Sequence, residues 1–261
     1  MLSGKKYFCS QLNTQRFFIE LAYDGTAYHG WQTQPNAVTV QQELDKALSV
    51  FFRQPVVTLG CGRTDSGVHS SKFFAHMDLQ DITETAAANG VGGINALLPY
   101  PIAVKRIFKV TDTAHARFDA TARSYEYHFH FHKDPFKLNR SWLYKASLDV
   151  EAMNAAAATL LNYIDFTSFS KSNTSTATNN CRITEAVFKE TDGGLVFHIT
   201  ADRFLRNMVR AIVGTLILVG RKEIGLSELH EIITSKNRSN AGQSVPACGL
   251  YLVNVIYPFV N

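Results

Sequence analysis

Cysteine is scarce and dispersed. The chain has four in 261 residues, Cys9, Cys61, Cys181 and Cys248, and no two of them form a Cys-x-x-Cys pair. That spacing argues against a zinc site and implies no disulfide framework. Cys61 is read as a small buried residue rather than a thiol nucleophile. Long apolar runs are missing, which excludes a helix spanning a bilayer. Met1-Leu2-Ser3-Gly4-Lys5-Lys6 is not followed by a signal-peptide core, so the cytoplasm is the expected compartment. No Gly-rich phosphate loop or dinucleotide fingerprint occurs. A large charge of one sign is missing too: the net charge of +4 permits an RNA partner without demanding one. What remains is the composition of a soluble globular protein, 46% hydrophobic and 18% charged. The length suits one large domain or two small ones sharing a core.

Residues 1–15 are polar and aperiodic and read as a poorly ordered tail. Phe17, Ile19, Leu21 and Tyr23 alternate onto one face of a first strand, and Asp24-Gly25-Thr26 turns the chain. The loop from Tyr28 to Pro35 is rich in aromatic and amide side chains, which suits either a packed loop over a sheet or the wall of a cleft that holds bases. Thr39 with Gln42 fits a capping box, and Val40, Leu44, Ala47, Leu48 and Phe51 share one side of the helix that follows. Pro55–Leu59 reads as a short strand, a helix is expected within 83–98, and 102–110 reads as a strand.

The second half repeats this rhythm. Tyr125, Tyr127, Phe129 and Phe131 face one way along a strand, with Ser124, Glu126, His128 and His130 on the other side. His128 and His130 are read as solvated histidines on an exposed face, with no acidic or cysteine companion at ligand spacing, so no metal is expected. A helix is predicted from about Asp149, with Val150, Met153, Ala157, Leu160 and Leu161 on its buried side. Strands at 182–190 and 195–201 flank a turn at Asp192-Gly193-Gly194. The stretch 204–219 is apolar nearly all round after Arg210 and should be a central helix. Ser227 is placed as the cap of a last helix, and Leu250–Tyr257 is a final strand. Irregular alternation with hairpins points to an α+β fold of two similar halves, near 16–115 and 116–261.

The stretch that organises the chain is Leu59-Gly60-Cys61-Gly62-Arg63-Thr64-Asp65-Ser66-Gly67-Val68-His69-Ser70. Its glycines mark a tight backbone, and Arg63 and Asp65 lie between them. A plain turn with a solvated Arg63 would need no further explanation. The whole string, however, resembles the signature of the TruA family of tRNA pseudouridine synthases. Ser66 and Ser70 stand here where that family more usually has alanine. The resemblance recurs at His115–Tyr127, Ile164–Phe169, Phe204–Gly214 and Gln243–Leu252, so it covers nearly all of the chain after the tail.

This resemblance implies the pseudouridine synthase fold. The two halves join in one extended, mostly antiparallel sheet with flanking helices, and the active-site cleft lies between them. It implies isomerisation of uridine to pseudouridine at positions 38, 39 and 40 of the tRNA anticodon stem-loop, after the target base is flipped out. No cofactor is expected for an isomerisation. A homodimer is expected, with an RNA track crossing both subunits. Asp65 would be the catalytic aspartate, Arg210 its partner, Arg63 a residue that displaces or holds the target nucleotide, and Tyr125 the ring packed on the base. Strand alternation puts Tyr125 and Tyr127 on one face, so pattern alone does not separate them. Candidate phosphate contacts are Arg117, Arg123, Lys133, Lys137, Arg140, Lys171, Arg203 and Arg206, and the polar loop 170–180 could order over RNA. A non-catalytic tRNA-binding or RNA-folding protein on the same fold is the alternative. An aspartyl-nucleophile hydrolase is a weaker one, because it would need a metal or phosphate site.

Overall fold

The computed structural model describes residues 13–171 and 178–260. Most of the expected 1–15 tail, and residues 172–177 of the expected polar loop, lie outside the described residues; Thr14 and Gln15 already belong to the first strand. In chain order the elements are β1 (Thr14–Tyr23), α1 (Val40–Phe52), β2 (Leu59–Gly60), β3 (His69–Gln80), α2 (Glu84–Asn89), α3 (Val91–Leu97), β4 (Ile102–Lys109), β5 (Ala122–His130), β6 (Trp142–Leu143), α4 (Val150–Thr159), β7 (Ile183–Thr191), β8 (Gly194–Ala201), α5 (Met208–Gly220), α6 (Leu226–Thr234) and β9 (Leu250–Ile256).

All strands form one sheet of order β4-β1-β3-β9-β5-β8-β7, with β2 paired to β3 and β6 to β5. The pairing is antiparallel except for β3 with β9 and β5 with β6. This is the expected α+β architecture with a mostly antiparallel sheet. The joint between the halves is short: β3 meets β9 only at His69–Tyr251 and Ser70–Leu252. Side chains are exchanged across it. Leu252, Val255 and Tyr257 pack with Phe17, Phe73 and Leu44 in one core, while Val68 packs with Phe197, Leu216 and Tyr127 in the other. Each core is therefore completed by residues from the other half of the chain.

Several expectations need correction. Residues 55–58 are not strand. They lie along α1, whose side chains take up their backbone groups: Ser49 Oγ accepts from Val56 N, Asp45 Oδ1 from Thr58 N, and Gln41 Nε2 donates to Thr58 O. Once those groups were bonded to the helix, no sheet partner was required. The central helix begins at Met208 rather than 204, because Asn207 is left-handed at φ 66°. Gly225, not Ser227, caps α6, with Glu228 accepting from its N–H at 2.9 Å. Leu161 is exposed, since the chain tightens into a 3₁₀ turn at Leu160–Asn162 and carries it away from the α4 face. His130 is buried rather than solvated, and Tyr144 N donates to its carbonyl. His128 does have an acidic companion, because its Nε2 is 2.9 Å from Glu126, which also lies 3.4 Å from His198.

Asp45 offers a test of this packing. Burial raises its carboxyl to about 6, although hydrogen bonds from Thr58 act to lower it. An unfolded Asp titrates near 3.9. Between about pH 4 and 6 the folded chain therefore keeps a proton that the unfolded chain has lost, and this group's contribution to stability declines as the pH rises through that window. Asp45→Asn keeps an oxygen that accepts from Thr58 without the charge. Its stability relative to wild type should grow from pH 4 to 6 and then level, measured by urea unfolding at each pH. A constant difference would show that Asp45 does not titrate in this way.

Candidate active site

The loop between β2 and β3 is held by the first half's aromatic segment. Tyr28 and Trp31 are buried, with Trp31 stacked on Phe73 at 4.1 Å, so these two rings pack the core and do not line a cleft. Their backbones grip the loop: Tyr28 O accepts from Gly67 N and Ser66 Oγ, and Trp31 N donates to Thr64 O. Tyr23 and Thr64 share a buried hydroxyl bond of 2.9 Å. The segment lies so close that a Cβ on Gly25 would collide with the Val68 carbonyl, and one on Gly30 with the Thr64 carbonyl. His69 Nδ1 accepts from Gly25 N, which leaves Nε2–H to donate to Asn139 O. Burial holds this imidazole below its ordinary pKa, so its approach to Asp24 is that of a neutral ring.

The loop carries Asp65 to the second half. One carboxylate oxygen lies 3.5 Å from Arg210 Nη1 and the other 3.7 Å from Arg206 Nε. These are ion pairs at distances beyond a good hydrogen bond. Asp65 accepts no side-chain hydrogen bond from the described residues, so its lone pairs stay open on a side chain 28% exposed. Arg210 sits in the first turn of α5. A cation there opposes the helix dipole, and Asp65 supplies the compensating charge. Arg210 Nε also donates to Val245 O at 2.7 Å, which fixes the fork.

The backbone of α5 is met closely by the segment that holds Arg210. A Cβ on Gly214 would run into the Gln243 carbonyl. Helix propensity favours Ala over Gly by about 1 kcal/mol. The collision is with backbone and should win, so Gly214→Ala is expected to destabilise by about 2 kcal/mol. The same displacement should loosen Val245 and with it Arg210. Urea unfolding decides the sign, and a stabilised variant would mean that the segment yields freely.

Tyr125 and Tyr127 are now distinguished. Tyr127 is fully buried and donates its hydroxyl to Pro246 O at 2.8 Å, a structural role. Tyr125 is half-buried where the two cores meet, edge-on to Phe204 at 5.1 Å, and the β5–β9 register slips just before it. Burial, then the nearby Cys61 and Asp65, push its hydroxyl pKa up, so the phenol stays neutral beside Asp65. Arg63 is exposed and makes no ion pair with Asp65. Arg206 was anticipated only as a phosphate contact. It precedes α5 and reaches Asp65 from the turn before the left-handed Asn207, a placement that the sequence pattern does not signal.

Residues 156–258 match the family model described as tRNA pseudouridine synthase. The chain is 53% identical over 245 residues to a tRNA pseudouridine synthase A of Porphyromonas gingivalis, covering 93% of this chain and 97% of that protein. It is 52% identical over 249 residues to one of Bacteroides thetaiotaomicron, covering 94% and 91%. The chain belongs to the tRNA pseudouridine synthase A family. One of Bacteroides fragilis is 49% identical over 254 residues, covering 95% and 98%. The family model takes in β7, β8 and β9 and the Arg206–Arg210 pair, but not the loop that bears Asp65. The resemblance in that loop and the full-length relatives together bring both sides of the Asp65–Arg210 contact within the tRNA pseudouridine synthase A family.

Proposed function

We propose that this chain isomerises uridine to pseudouridine in tRNA, with Asp65 as the essential carboxylate. The observation that carries this reading is the Asp65–Arg210 ion pair, formed between the two halves of a chain about half identical to named tRNA pseudouridine synthases A. In the reaction the N1–C1′ bond breaks, the base turns, the C5–C1′ bond forms, C5 gives up its proton and N1 gains one. An open carboxylate flanked by two guanidinium groups suits this chemistry, since its oxygens accept no side-chain hydrogen bond from the described residues and are free to approach the sugar or the ring. Tyr125 offers a ring to the flipped base, and Arg63, uncommitted at the loop's rim, occupies the vacated place in the RNA.

The finer reading assigns positions 38, 39 and 40 of the anticodon stem-loop, a cytoplasmic setting, and a homodimer whose RNA track crosses both subunits. The family resemblance supports these. The deciding experiment is release of tritium from tRNA carrying 5-tritiated uridine, followed by mapping of the modified positions. Release with modification at 38–40 is expected. Tight tRNA binding without release would favour an RNA-binding protein on the same fold. A monomer mass at micromolar concentration would remove the dimer.

A further inference from the structure

Arg123 was a candidate phosphate contact, but its guanidinium is already spent. It donates from Nε and Nη2 to Cys61 O, from Nη2 to Arg117 O, and from Nη1 to Ala120 O and Asp202 O, at 2.7–3.4 Å. Each of the five N–H donors of a guanidinium is thereby used. The effect is to gather three backbone segments from distant parts of the chain. Each presents another arginine: Arg63 two residues after Cys61, Arg117 itself, and Arg203 one residue after Asp202. None of these three guanidinium groups has a hydrogen bond or an ion pair among the described residues.

The nearby carboxylates do not neutralise them. Asp202 accepts from the backbone N–H of Arg182 and Arg203 at 2.8 and 2.6 Å, and Asp119 from that of His115 at 2.7 Å. Partial burial, and then the like charges of Arg63, Arg123 and Arg203, act to lower the Arg117 pKa. Like charges held together without an acid need an outside anion. Phe118, 73% exposed, lies under the Arg117 guanidinium at 5.5 Å. An exposed ring beside unpaired arginines is what a single-stranded nucleic acid uses, phosphates on the cations and a base or sugar on the ring.

We propose that Arg117 and Arg203, gathered beside Arg63 by the backbone-bonded Arg123, form a phosphodiester-binding site for the RNA strand that enters next to Asp65. This rests on the reading of the chain as an enzyme acting on tRNA. The site is composite, with Arg117 from the connection and Arg203 from the second half, both beside Arg63 of the first half. It grips the strand where the halves meet.

The test is tRNA binding across a range of KCl concentrations, measured in Asp65→Asn protein so that no turnover intervenes. Each lost phosphate contact on a single strand lowers the slope of log K against log salt by about 0.7. Adding Arg117→Met with Arg203→Met should therefore reduce the slope by roughly 1.4. Arg221→Met, on the far end of α5 and about 16 Å along the helix from Arg210, should leave it unchanged. An unaltered slope in the double variant overturns the site. A measurement on unmutated protein covers the case of a variant that does not fold: Arg117 and Arg203 should react with phenylglyoxal in the free protein and be protected by tRNA. Equal labelling with and without tRNA also overturns the site. Tritium release by wild type with an unaltered slope removes the site and keeps the enzyme. Binding with the expected slope change but no release keeps the site and removes the enzyme.

Discussion

Asp65→Asn should cut tritium release from tRNA by on the order of 10³-fold or more. The amide keeps the size of the carboxylate but not its charge or its nucleophilic oxygen. No described residue donates a side-chain hydrogen bond to Asp65, so no such bond is lost from the folded protein. The turn itself depends on main chain, with Val68 N donating to Asp65 O at 3.2 Å. Arg206 and Arg210 would then face a neutral group, at a modest cost for partly exposed pairs. Thermal unfolding should stay close to wild type while the rate collapses. Release at the wild-type rate would remove Asp65 from its central place and leave the remainder of the site to be reassigned.

Arg210→Met should cost about 10²-fold in the single-turnover rate at saturating tRNA. The loss is smaller than for Asp65 because Arg206 still flanks the carboxylate at 3.7 Å. Arg210 does two jobs that no ammonium reproduces. Its Nε holds Val245 O while Nη1 faces Asp65. Lysine has one point of charge and no fork, so Arg210→Lys should recover little of the rate. The lost bond to Val245 O should also lower stability by about 1–2 kcal/mol. The rate and the urea midpoint, measured on both variants, separate the roles. A methionine variant within threefold of wild type would show that the ion pair is incidental.

Local pattern was a good guide where local physics decides. Thr39 accepts from Gln42 N as its capping position requires, and the alternation of β5 placed Tyr127 and Phe129 in a core. The loop around Asp65 was visible as a string of small and charged residues between apolar runs. Tertiary competition hid the rest. Residues 55–58 look like a strand by composition, yet the side chains of α1 satisfy their backbone first. Arg123 looks like any basic residue near an RNA site, and only the folded chain shows four different carbonyls around it. His130 alternates onto an apparently open face, yet it is buried in the folded chain, where Tyr144, fourteen residues later, donates to its carbonyl. Tyr125 and Tyr127 have equal claims by period two. The Pro246 carbonyl, more than a hundred residues away, separates them.

The position of β9 sets an order in time. It lies between β3 and β5, and it is synthesised after every other strand of the sheet. While a ribosome is still translating the preceding residues, β3 has only the two-residue β2 on that side and β5 lacks one of its partners. The first core also waits for Leu252, Val255 and Tyr257. Asp65 and Arg210 both exist by then, but nothing in the sheet yet holds their halves in register. Pairing over so long a sequence separation is slow and leaves strand edges open meanwhile. A nascent or truncated chain that stops before Leu250 would carry both charged groups and still lack a site, so assembly of this centre reports that translation has passed its last strand.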